Sequence, residues 1–158
     1  MIQRSIVSLI MLVGLFGLGQ AQVSMPAFSF YDLEGDTFTS AQLDPSRPVF
    51  VMMFDPYCDH CRTQAEHIAH APELFLQKKA QFVWVTLEPE AEAIVAFREE
   101  YFGDSGLDVH FLQDKDIRFE EFFGYTDDAV NIYLFKPDGK APKYFGKEQN
   151  AKVLLNYL

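Results

Sequence analysis

The run Val49-Phe50-Val51-Met52-Met53-Phe54 constrains this chain most, because no position in it is polar. A strand with one wet face alternates, whereas a strand without alternation needs apolar cover on both faces. The run therefore predicts a central strand in a layered α/β domain. Asp55-Pro56-Tyr57 breaks it, and a helix is predicted to start at or just after Cys58.

The remaining elements follow from the same patterning. Residues 28–33 alternate, Glu34-Gly35-Asp36 turns, and Thr37-Phe38-Thr39 returns, which reads as an edge hairpin. The helix from Cys58 extends through Gln64, Glu66 and Ile68 toward Lys79, bent or interrupted at Pro72. Residues 81–87 form a second apolar strand, with Trp84 as the only tryptophan. Glu88-Pro89-Glu90 opens another helix, in which Ile94, Val95, Phe97 and Tyr101 recur at helical spacing. A short strand at 109–112 and a short helix at 116–123 follow. A strand at 130–135 then turns through Lys136-Pro137-Asp138-Gly139-Lys140 into a partner at 143–145, and a terminal helix covers 147–158. Strands alternating with helices, closed by a hairpin, indicate one α/β domain with a mixed central sheet and helices on both faces.

Composition narrows the partners. With 16 Phe and 7 Tyr the chain is suited to a packed core and not to disorder. At helical spacing Phe119, Phe122 and Phe123, with Tyr125 beyond them, read as core, and so does Trp84. A formal charge of −10 repels phosphate backbones and argues against nucleic acid as a partner.

The N-terminus has its own logic. Arg4, an apolar run over 6–18, and Gly19-Gln20-Ala21 give the charged, apolar and small-residue regions of a secretory signal peptide. The run is shorter than the roughly 20 apolar residues of a spanning helix. Residues 1–21 are therefore read as a cleaved leader and 22–158 as the domain. A periplasmic or secreted protein is expected, without stable membrane insertion after cleavage.

Only two cysteines exist, Cys58 and Cys61. A bridge across two residues constrains the unfolded chain very little, so the pair is poorly explained as a staple and better explained as chemistry. At a helix start, free amides and the helix dipole favour an anion, which suits Cys58 as nucleophile and Cys61, about one turn on, as the resolving thiol. Between them, Asp59 disfavours the thiolate by its charge and a protonated His60 favours it, so these two are the tuning residues. Such exchange needs protein thiols or disulfides and a redox partner protein, and calls for no cofactor. The same sulfurs support a second reading, metal binding or a metallochaperone-like role, with a His as third ligand. For that ligand His60 is near in sequence, His67 lies about 10 Å along the helix, and His110 is on another strand.

These features together resemble the TlpA/ResA branch of the thioredoxin superfamily. The resemblance runs over nearly all of residues 28–158 and rests on three features: the Gly35 hairpin, the 49–54 strand before Cys58-Asp59-His60-Cys61-Arg62, and the Pro137-Asp138-Gly139 turn. It implies a thioredoxin-like fold and a periplasmic or extracytoplasmic thiol–disulfide oxidoreductase. Its substrates would be protein thiols or cytochrome maturation components. Three positions depart from the pattern. The superfamily's cis-proline falls at Val130, which makes Ala129 and Val130 the substrate-loop candidates, and a trans bond is expected between them. Met52 stands where thioredoxin has a buried acid. Gln64 stands where ResA-type members can carry Glu, which leaves Glu88, at a neighbouring strand end, as the candidate for proton transfer.

Overall fold

The computed structural model describes residues 25–158, so the expected leader lies outside the described residues. Seven strands form one sheet: β1 (Ser29–Tyr31), β2 (Thr37–Thr39), β3 (Val49–Met53), β4 (Gln81–Thr86), β5 (Asp108–Gln113), β6 (Asn131–Phe135) and β7 (Lys143–Phe145). Their order is β2-β1-β5-β4-β3-β6-β7. The unbroken apolar run thus lies inside the sheet. β3 pairs in parallel with β4, from Val49↔Gln81 to Met53↔Val85, and antiparallel with β6, from Val49↔Phe135 to Met53↔Asn131.

Both faces of β3 are covered, which is why its sequence does not alternate. Phe50 and Met52 face a cluster with Phe82, Trp84, Ile132 and Leu134. That layer is closed by helices α1 (Asp59–Ala69), α2 (Pro72–Gln77), α3 (Ala91–Phe102) and α5 (Ala151–Leu155), through Ile68, Phe75, Phe97 and Leu154 among others. Val49 and Val51 face the other way, with Val83, Val85, Leu112 and Phe135. There the cover is α4 (Phe119–Phe123) and the rings of Phe28, Phe30 and Phe38. Right-handed crossovers explain the division. The parallel steps β3 to β4 to β5 run in one direction across the sheet, so α1, α2 and α3 fall on the same face. Phe50 and Phe82 stack at 5.2 Å, with Phe75 edge-on to both. Each fully buried ring of this kind contributes about 1.5–3 kcal/mol.

Several elements are shorter than expected, each for a visible reason. The single bent helix to Lys79 is two helices. Ala71 takes φ −143°, and Pro72 opens α2 at a position where a missing N–H costs nothing. Helix α3 begins at Ala91, after Glu90 as its cap, and not at Glu88. The helix expected over 116–123 starts only at Phe119, because Ile117 sits at φ +55° and the Asp114 carboxylate accepts the N–H groups of Arg118 (2.9 Å) and Phe119 (2.7 Å). The terminal helix is α5 alone. Residues 147–150 stay outside it because long-range partners hold Glu148 and Gln149.

Candidate functional site

The cysteines stand where the breaks in β3 and β4 coincide. Beyond Met53 the chain leaves the sheet, and the Asp55 carboxylate accepts the N–H of Tyr57 at 2.7 Å. The carbonyl of Asp55 accepts the N–H of Cys58 at 3.1 Å. This turn leaves Cys58 as the N-cap of α1, extended at φ −79° and ψ 121°, with its side chain not used for capping. Cys61 follows on the inner side of the first turn. Cys58 is half-buried and Cys61 is buried, both as free thiols. Burial pushes the Cys61 thiol up to about 12. A hydrogen bond from the backbone of Asp55 opposes this shift, and hydrogen bonding to Cys58 adds to it.

Both sulfurs line a cleft of about 400 Å³ at the C-terminal ends of β3 and β4, the expected place for chemistry in such a sheet. Its other walls are the β4–α3 loop, with Leu87 and Glu88, and the loop before β6, with Tyr125, Asp128, Ala129 and Val130. Cys58, Cys61, Glu88, Ala129 and Val130 are thus brought together from three chain segments. No peptide bond among the described residues is cis, so Ala129–Val130 is trans. Glu88 is half-buried, and its carboxylate accepts the N–H of Glu90 at 2.8 Å.

Asp59 and His60 are not in the cleft wall. Asp59 is exposed in the first turn of α1. The His60 ring pairs with the Glu148 carboxylate, which its own backbone N–H and His60 together hold below the usual glutamate range. One turn on, Gln64 is 1% exposed and doubly engaged. Its Oε1 accepts the N–H of Gln149 at 2.7 Å, and its Nε2 donates to the carbonyl of Gln149 at 3.1 Å. Met52 is buried in the core beneath the cleft.

The histidines considered as third metal ligands go elsewhere. His60 pairs with Glu148, His67 has a buried Nδ1 without a partner, and His110 pairs with Asp108 at 3.1 Å against the ring of Phe38. Among the described residues no three His, Cys, Asp or Glu side chains gather into a metal-holding group. Nor is any described helix long and apolar enough to cross a membrane.

Sequence reasoning missed the residues that hold the cleft in shape. Asn131, 3% exposed, accepts the N–H of Thr126 on its Oδ1 and donates from Nδ2 to the Thr126 carbonyl, both at 3.1 Å. Asp128 Oδ2 accepts the hydroxyls of Thr126 (2.7 Å) and Tyr144 (2.8 Å), which hold its carboxyl below the usual range. The carboxylate presses so closely on Gly146 that a Cβ there would lie 2.4 Å from Oδ2. This lattice fixes the Ala129–Val130 loop with side chains. Across the cleft, Gln113 donates to the carbonyls of Glu88 (3.0 Å) and Pro89 (3.1 Å) and fixes the opposing loop. The available signal was an amide at a strand end in each case, Asn131 opening β6 and Gln113 closing β5.

Solved structures share this architecture. A secreted Mycobacterium tuberculosis disulfide oxidoreductase homologous to E. coli DsbE matches at TM-score 0.63 and 18% identity, over 83% of this chain and 96% of that one. A thioredoxin-family thiol:disulfide interchange protein from Chlorobium tepidum matches at TM-score 0.67 and 15% identity, over 85% and 92%. An SCO1/SenC family lipoprotein from Bacillus anthracis matches at TM-score 0.62 and 16% identity, over 86% and 93%. At these identities the likeness is one of fold. Comparison with curated proteins gives no significant match. A family match covers residues 20–145, from before β1 to the end of β7 and including both cysteines and the loop before β6. By that match the chain belongs to the Redoxin family.

Proposed function

We propose that this chain is an extracytoplasmic thiol–disulfide oxidoreductase, with Cys58 as the attacking sulfur and Cys61 as the resolving one. The observation that carries the reading is the unequal placement of the pair: Cys58 is half-buried at a helix start, whereas Cys61 is buried with its thiol pushed up to about 12. In the reducing direction the Cys58 thiolate attacks a partner disulfide. One S–S bond forms between Cys58 and the partner, and the second partner sulfur leaves as a thiolate. Cys61 then gives up its proton and attacks the Cys58 sulfur, releasing the other partner thiolate. Two electrons pass to the partner, and the protein is left with the Cys58–Cys61 disulfide. A redox partner protein returns the pair to dithiol, and the same steps reversed oxidise a dithiol.

Cys61 keeps its proton near neutrality, so resolution needs an acceptor. Glu88 is the group for this role, as a carboxylate in the same cleft wall. The Ala129–Val130 backbone offers the partner strand a place to lie. Asp59 and His60 tune the pair from the helix start, His60 through its pairing with Glu148. Residues 1–21 act as the export leader, and the oxidising compartment supplies the disulfides.

Thiol counting on the mature protein across a series of glutathione ratios is expected to show a reversible two-electron transition. A pair that never oxidises reversibly sinks the reading. Cys61→Ser is expected to accumulate mixed disulfides through Cys58, and Cys58→Ser is not. For export, the mature chain recovered from the extracytoplasmic fraction should begin at Gln22.

A further inference from the structure

The cysteine cleft is lined by three carboxylates, Asp55, Glu88 and Asp128, and by no Lys, Arg or His. Each carboxylate accepts hydrogen bonds from the protein itself, at Tyr57, Glu90 and the Thr126–Tyr144 hydroxyls respectively, and the one cation that acts on any of them, Lys147 on Asp128, does not line the cleft. Beside the cleft, and sharing Met53, Leu87 and Tyr125 with it, lies a mainly apolar notch of about 180 Å³, completed by Ile117 and Phe119 with the acidic Asp114 and Glu120. No basic side chain lines the notch either.

The rim is unusually apolar for an exposed surface. Leu87 is 51%, Tyr125 52% and Ile117 77% exposed, and Tyr57, next to Cys58, is 67% exposed. Ile117 adds a second oddity, since it holds φ +55°. A β-branched residue is badly suited to that left-handed backbone. Folding therefore gains little from isoleucine here, where the side chain meets water and the backbone is strained. Strain of this kind persists where a surface is used for something other than folding.

Building on the oxidoreductase reading, we propose that the cleft and notch together dock one class of partner. That class is a cysteine-bearing protein segment with an apolar side chain and a nearby Lys or Arg. The cysteine meets Cys58, the apolar side chain seats among Leu87, Ile117 and Tyr125, and the cation faces Asp55, Glu88 and Asp128. Acidic low-mass disulfides such as oxidised glutathione are repelled by the same carboxylates, so the site discriminates by charge before chemistry begins.

Short peptides with one cysteine capped as its methyl disulfide test this, with hydroxyethyl disulfide as a neutral small probe. The reduced mature protein attacks each, and the second-order rate is read from loss of the capped peptide. A peptide with Leu and Lys near the cysteine should react at least about tenfold faster than its Glu counterpart at low salt. The gap should narrow in about 0.5 M salt. Ile117→Gly should slow the Leu-Lys peptide several-fold and leave a Gly-Lys peptide unchanged. It should melt no lower than the parent, because glycine accepts φ +55°. Equal rates for the Lys and Glu peptides, or an equal effect of Ile117→Gly on the Leu and Gly peptides, would overturn the docking proposal while leaving the redox reading intact. Failure to exchange even with hydroxyethyl disulfide would overturn both.

Discussion

Replacing Gln64 by Glu exchanges one buried amide for a carboxyl group and asks what that position does in this chain. The parent amide makes two bonds to one residue, accepting from the N–H of Gln149 at 2.7 Å and donating to its carbonyl at 3.1 Å. An ionised carboxylate still accepts from the N–H but turns its second oxygen toward the carbonyl, acceptor against acceptor. The lost bond is worth about 1 kcal/mol, and the carbonyl of half-buried Gln149, left facing the carboxylate, costs about 1–3 kcal/mol more. A loss of roughly 3 kcal/mol at neutral pH lowers the melting temperature of a domain of this size by about 10 °C. Protonation reverses the loss, because a neutral carboxyl can donate to the Gln149 carbonyl again. The folded-state pKa of the new group is therefore raised above the unfolded value of about 4.3. Its stabilising contribution is complete below that value and is lost as pH rises through the folded one. Melting of Gln64→Glu beside the parent at pH 7 and near pH 4 is the assay, read as the difference between them. A gap of about 10 °C at pH 7 that closes near pH 4 is expected. No gap at pH 7, or the same gap at both pH values, would refute the reasoning.

Asn131→Ala removes both bonds to the Thr126 backbone and is expected to destabilise by about 2–3 kcal/mol. It should slow exchange with a protein disulfide more than with hydroxyethyl disulfide, leaving the glutathione equilibrium unchanged; stopped-flow rates and denaturation curves check both parts. The reduced protein should lose stability between about pH 9 and about 12. There the unfolded chain releases the Cys61 proton and the folded state, with its thiol pushed up to about 12, retains it. Urea denaturation at pH 7.5 and about pH 10 should show that loss in the reduced parent and a smaller one in Cys61→Ala.

What the sequence disclosed was mostly local. The Val49–Phe54 run announced a strand covered on both sides, and the Asp55-Pro56-Tyr57 break announced a helix start at Cys58, because each depends on neighbours in the chain. The misreadings arose where distant partners decide. Residues 147–150 carry a helical pattern, yet Gln149 answers to Gln64, 85 positions away, and Glu148 to His60, 88 positions away. Ile117 reads as a helical residue between Asp116 and Arg118, while the Asp114 carboxylate captures the next two amides and delays the helix. Val130 could be placed opposite the cysteines by counting. The lattice that supports its loop could not, since it joins Thr126 and Asn131 to Tyr144 across a hairpin.

The contact between Asp128 and Gly146 has a consequence for how this sequence can change over time. With a Cβ at 146 placed 2.4 Å from the Asp128 carboxylate, no side chain can arrive at 146 while Asp128 keeps its present rotamer. A neutral drift at 146 is closed until 128 has shortened or swung away, and that swing releases the Thr126 and Tyr144 hydroxyls together. A bulkier residue at 146 therefore brings a differently held loop beside the cysteines, whether Asp128 is replaced or only turned aside.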